Sequence, residues 1–135
     1  MRVLLNIAAS LALLTAATVA QAGCVRCDPI FNVENASATN ASGKKLSNEQ
    51  IKAAIVRAGT GLGWVMKDDG PGKITATLNI RKHTAVIEIP YSPAGYSITY
   101  LSSVNLDEGG GQIHKNYNGW IQNLSRGINA QLSGA

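Results

Sequence analysis

Most of the residue patterns that announce a particular chemistry are missing from this sequence. It has 2 cysteines, 2 histidines and 1 phenylalanine in 135 residues. A tetrahedral zinc site takes four ligands, and Cys24, Cys27, His83 and His114 do not have finger spacing. There is no Gly-x-Ser-x-Gly elbow and no His-Glu-x-x-His element, which removes two hydrolase signatures. The run Gly59-Thr60-Gly61-Leu62-Gly63 lacks the Lys-Ser/Thr that completes a phosphate loop, and it follows a helical pattern instead of opening one. It reads as a helix end and a turn. Asp107 and Glu108 lie in a loop without EF-hand order. Lysine and arginine are scattered, with Lys44-Lys45 and Arg81-Lys82 as the adjacent pairs, and they form no basic stripe of the kind nucleic acid recruits. No cofactor, metal or nucleic-acid partner is expected.

A second apolar span is also missing, and the first is short. Met1-Arg2 gives a positive start, Val3 to Leu14 is apolar apart from Asn6 and Ser10, and Ala20-Gln21-Ala22 is a small-x-small cleavage site. That is the pattern of a secretory signal peptide over residues 1–22; a spanning helix would need roughly 18 continuous apolar residues. Its removal leaves 11 Lys+Arg against 8 Asp+Glu, a net charge of +3 by subtraction. Cys24-Val25-Arg26-Cys27 then stands at the front, without the β-α-β setting of a thioredoxin-like pair. Two readings of Cys24 stay open. Gln21-Ala22-Gly23-Cys24 looks like the end of a lipoprotein signal, with Cys24 lipidated, although Gln21 stands where an aliphatic residue is usual. Cleavage after Ala22 instead leaves Cys24 and Cys27 free to form a disulfide in an oxidising compartment. A membrane is reached only in the first case, through the lipid.

Residues 23–45 are rich in Asn, Ser, Thr, Ala and Gly and read as a flexible N-terminal segment, with a short edge strand at Ile30 to Glu34. Phe31 is expected to tuck under the domain. The folded part is expected over 46–135. Ser47 caps a helix, Gln50 completes the capping box, and Leu46 staples against Ile51; Ile51, Ala54, Ile55 and Ala58 mark its apolar face. Four strands follow: Trp64 to Lys67, Lys73 to Arg81, a third ending at Tyr91, and a fourth carrying Tyr96, Ile98 and Tyr100. Their alternation is one-sided, so one sheet face is covered and the other is wetter. Leu101 to Gln112 reads as a loop and Ile113 to Leu132 as an amphipathic closing helix. Gly119 and Gly127 each cost that helix about 1 kcal/mol against alanine, and close approach to the sheet is the expected reason. The fold class is α+β: an antiparallel sheet of three to four strands covered on one face by two helices, in the order α-β-β-β-β-α.

In the last third of the chain, the stretches Tyr96 to Tyr100 and Ile113 to Trp120 gather three of the four tyrosines, one of the two tryptophans and His114. Tyr96, Tyr100, Tyr117 and Trp120 fall on predicted core faces, where packing is their first role. The candidate binding residues are His114, Asn116 and Asn118, with Tyr100, Ser103 and Asn105 beside them.

Five groups carry a resemblance: Arg81, His83, Ala85, Ile87 and Ile89 in alternation; Tyr91-Ser92; Tyr96-Ser97-Ile98 with Tyr100; Ser103 with Asn105-Leu106; and Ile113-His114 with Asn116-Tyr117-Asn118, Trp120 and Asn123-Leu124. Through them the stretch 81–124 resembles a group of small Gram-negative envelope proteins, many described as lipoproteins. The resemblance implies an exported α/β domain in the periplasm or at the outer membrane, and it brings no catalytic or ligand residues. The first functional expectation is therefore a non-enzymatic module that binds a small ligand or an envelope protein. Its partner surface is either the aromatic group above or the wet sheet face bearing Thr75, Thr77, Asn79, Arg81, Val86 and Glu88. The alternative is a small hydrolase-like periplasmic enzyme in which His114 works with Ser102, Ser103, Asp107 or Glu108.

Overall fold

A computed structural model describes residues 23–135; the expected signal peptide, residues 1–22, lies outside the described residues. The chain runs β1 (Cys27–Pro29), β2 (Val33–Ala36), α1 (Asn48–Gly61), β3 (Val65–Asp68), β4 (Lys73–Ile80), β5 (His83–Ser92), β6 (Gly95–Val104), β7 (Gln112–His114) and α2 (Lys115–Ser133). The class is α+β, as the patterning implies. The strand count is not: there is a five-stranded antiparallel sheet in the order β2-β6-β5-β4-β3 and a separate two-stranded ribbon of β1 and β7.

The first helix starts where its side chains can satisfy its first free amides. Gln50 N donates to Ser47 Oγ at 3.2 Å and Ser47 N donates to Gln50 Oε1 at 3.0 Å, a reciprocal box that serves two of the donors left over at any helix start. The helix ends as Gly63 turns through φ +89° and Trp64 N bonds Gly59 O at 2.9 Å. From there the period is two. Ile74, Ala76 and Leu78 of β4, Ala85, Ile87, Ile89 and Tyr91 of β5, and Tyr96 and Ile98 of β6 are all buried. They meet Ile51, Ala54, Ile55 and Ala58 of α1 and Tyr117, Ile121, Leu124, Ile128 and Leu132 of α2 in one core. Both helices thus cover a single face.

The fourth expected strand runs further than its alternation indicates. Leu101 is an extra residue between the Ile87/Tyr100 and Val86/Ser102 pairs, a bulge that resets the inside-outside register. Tyr100 and Ser103 consequently face the same side, and the expected loop begins only after Val104.

Residues 23–45, expected to be flexible, are tied to the domain. Val33 and Ala36 pair with Ile98 and Tyr96 on the outer edge of β6. Asn35 N donates to Ser97 Oγ at 3.0 Å, and Ala38 is fully buried. Phe31, expected under the domain, remains 39% exposed.

Candidate functional site

The start of α2 is built by the ribbon that precedes the sheet. Cys27 lies opposite His114 and Pro29 opposite Gln112. Ile30 N donates to Gly111 O and Lys115 N to Arg26 O, both at 2.9 Å. Cys24 and Cys27 are joined in a disulfide just ahead of β1. Asn118 then clamps the ribbon from the helix: its Nδ2 donates to Pro29 O at 2.9 Å, and its Oδ1 accepts from Phe31 N at 3.0 Å. Both ends of that carboxamide are therefore occupied by backbone, which makes Asn118 a structural clamp.

The other residues picked out by sequence are held in similar internal bonds. His114 is the N-cap of α2; its Nδ1 accepts from Asn116 N at 3.2 Å, and its own N–H donates to Leu106 O at 2.8 Å. Ser103 Oγ and the Tyr100 hydroxyl are 2.8 Å apart. Asn105 sits at φ +58° and closes its loop through Nδ2 to Lys82 O at 2.8 Å. His83 Nδ1 donates to Asn105 O at 2.7 Å, and its ring lies tilted 6.4 Å from Trp120. The structure thus brings Tyr100 and Ser103 together, and His83 with Asn105. Neither histidine has a serine or carboxylate as hydrogen-bond partner among the described residues. No group of three His, Cys, Asp or Glu side chains among the described residues is placed to hold a metal.

Two core tyrosines, Tyr96 of β6 and Tyr117 of α2, differ in how their hydroxyls are treated. The Tyr96 hydroxyl donates to Asn129 Oδ1 at 2.7 Å and lies 3.0 Å from Ser125 Oγ. Burial pushes its ionisation above the usual tyrosine range, and the Ser125 bond opposes that. Tyr117 packs edge-on against Tyr100, ring centroids 5.6 Å apart, and its fully buried hydroxyl has no protein partner among the described residues. Burial first, and the neighbouring Tyr100 second, hold it protonated well above the usual range.

No protein family, curated protein or solved structure matches the chain. The functional reading therefore rests on what this surface offers.

What it offers is a groove of about 510 Å³ across the solvent face of α2's first half, lined by Asp28, Lys115, Asn116, Gly119, Trp120 and Gln122, with Asn118 and Asn123 at its borders. Sequence reading named Asn116 and Asn118 but missed Gln122, Asn123 and the meaning of Gly119. Its expected packing role does not hold. A Cβ at Gly127 would meet Ala58 Cβ at 3.5 Å and Leu62 Cδ1 at 3.6 Å, so the close approach there is to α1 and not to the sheet; a Cβ at Gly119 would meet nothing within 4 Å.

Proposed function

We propose that the protein is an exported, non-enzymatic binding module of the Gram-negative cell envelope, and that its binding surface is the groove on the first half of α2. The observation that carries this reading is how the polar side chains divide. His114, Asn118, Asn105, Tyr100 and Ser103 are engaged in holding the fold. Asn116 and Gln122 face the groove with side chains bonded to no other described residue, beside a half-buried indole. A histidine locked as a helix cap with its base nitrogen turned to a backbone amide is poorly placed to activate a nucleophile. A shallow, open surface with unbonded polar groups beside an aromatic ring suits a partner held by surface contact.

A second surface stands beside it. The uncovered face of the large sheet carries Val65, Leu101 and Val104, exposed by 65%, 47% and 56%, on the same side as Thr77 and Val86. A photo-crosslinking amino acid separates the two readings when placed at Arg126, beside the groove, or at Thr77, in the sheet face, in cells making the full chain. Adducts from position 126 alone support the groove. Adducts from 77 alone move the binding surface to the sheet, and none from either position removes the binding-module reading.

A further inference from the structure

The groove exists because one side chain is missing. Gly119 lies in the interior of a 19-residue helix, where glycine costs about 1 kcal/mol relative to alanine. Such a residue is usually explained by a neighbour that needs the space. Gly127, two turns on, has that explanation in Ala58 and Leu62, and Gly119 has none. The helix is weakened at a point where nothing in the described fold requires it. The result is a notch, open space over Gly119 on the solvent side, flanked one turn away in each direction by Asn116 and Gln122.

The rim fixes the chemistry of what fits. Lys115 and Asp28 place one cation and one carboxylate in the lining, neither with an ion-pair partner among the described residues, so the lining carries no net charge to select a phosphate or a polybasic segment; the Arg126 guanidinium at its border donates to Asn123 Oδ1. Of the four carboxamides around it, Asn118 is taken up by the ribbon and Asn123 Oδ1 accepts from Arg126 Nη2, which leaves Asn116 and Gln122 to face a ligand. Asn and Gln each present a donor and an acceptor side by side, the pairing that vicinal hydroxyls and acetamido groups satisfy on a sugar ring. Trp120 adds a half-buried indole whose orientation is backed by His83 at 6.4 Å; aromatic faces supply apolar contact area with little conformational entropy to lose. The depression is shallow and open, about 510 Å³ in volume, so it would seat one side of an extended chain and not enclose a whole small molecule. We propose that the Gly119 notch is a saccharide-binding site, taking a neutral, hydroxyl- and acetamido-bearing segment of a glycan chain. This rests on the reading of the protein as a binding module and names the ligand class of the same groove.

The probes are N-acetylglucosamine tetrasaccharide and maltotetraose, titrated into the residue 23–135 protein, with trialanine peptide as the control for generic amide binding. Trp64 is 3% exposed, so a ligand-dependent change in tryptophan emission reports Trp120. The expected result is saturable binding of at least one saccharide and none of the peptide. Gly119→Gln, which fills the notch without adding charge, should weaken it by at least roughly tenfold, the equivalent of about 1.4 kcal/mol, with a melting temperature equal to or above the parent. Gly127→Ala, outside the groove, should leave affinity unchanged and serves as the folding control. The proposal is overturned by the absence of saturable binding to either sugar, by preferential binding of the peptide, or by a Gly119→Gln protein that binds as the parent does. Crosslinks from position 126 that persist while both sugars fail would sink the saccharide and leave the binding module standing. Loss of sugar binding together with the absence of adducts from both 126 and 77 sinks the two together.

Discussion

Replacing Tyr117 with phenylalanine should make this protein more stable, against the usual direction for a core substitution. The ring is fully buried, and its hydroxyl has no protein partner among the described residues. An unsatisfied buried polar group carries a desolvation penalty of about 1–3 kcal/mol. Phenylalanine keeps the edge-on contact with Tyr100 at 5.6 Å and leaves a void of a single oxygen, whose cavity term is a fraction of a kcal/mol. The net expectation is a gain of about 1 kcal/mol, or roughly 4 °C in melting temperature for a domain of this size. Urea unfolding at neutral pH would show it as a higher midpoint at unchanged slope. The same substitution should alter the alkaline limb. Burial raises the Tyr117 ionisation above its ordinary value of 10.0, so above that pH the unfolded chain loses a proton that the folded chain keeps. The stability tied to Tyr117 is complete below pH 10.0 and drains away as pH rises further. The parent should therefore lose stability more steeply than Tyr117→Phe above that point, with Tyr96 still contributing in both. A variant less stable by about 1 kcal/mol at neutral pH would show that the hydroxyl has a partner, such as a buried water, and would refute the reasoning.

Other outcomes follow from single contacts. Gly95 sits at φ +155° with its absent Cβ 2.5 Å from Ala36 O, so Gly95→Ala should cost roughly 3 kcal/mol in chemical unfolding; a loss below about 1 kcal/mol would mean that β2 is not held against β6. Asn118→Ala removes both clamp bonds, and amide exchange at Phe31 should quicken far more than global stability falls, by about 1 kcal/mol. Equal changes in both would show that the ribbon unfolds only with the core. The double substitution Cys24→Ser, Cys27→Ser opens a very short loop and should cost no more than about 2 kcal/mol, read as a small shift in the urea midpoint with the fold intact. The intact mass of the chain isolated from its source cells is expected to start at Gly23 and rise by two hydrogens on reduction; a Cys24 start with acyl chains added would reverse that expectation.

The sequence carried the helices and the central hairpins clearly because their signals are local. Ser47 and Gln50 state a helix start within four residues, and β4, β5 and β6 alternate without interruption through Ile98. What escaped it depends on distant partners. The edge strand expected at Ile30 to Glu34 is present but displaced to Val33–Ala36, because the open edge of β6 and not the local pattern sets its bounds. Cys27-Asp28-Pro29 is a strand because Gln112-Ile113-His114 lies opposite. The bulge at Leu101 was equally invisible, since one extra residue leaves no mark in composition. At the candidate site, the polar residues with the most conspicuous spacing were the ones the fold consumes. Gly119 was legible as an anomaly, a glycine in a strongly periodic helix, but its meaning depended on knowing that one glycine faces α1 and the other faces solvent.

The position of the first strand bears on how this domain would meet a membrane. β1 begins at Cys27 and its register with β7 leads directly into α2. A lipid on Cys24 would have three residues before the folded ribbon, at most roughly 10 Å of extended chain. Such an anchor would hold the domain flat against the bilayer with little freedom to turn, its α2 groove kept within about one protein thickness of the lipid surface. A free N-terminus bearing the Cys24–Cys27 disulfide imposes no such orientation, and the same groove would then sample the whole compartment.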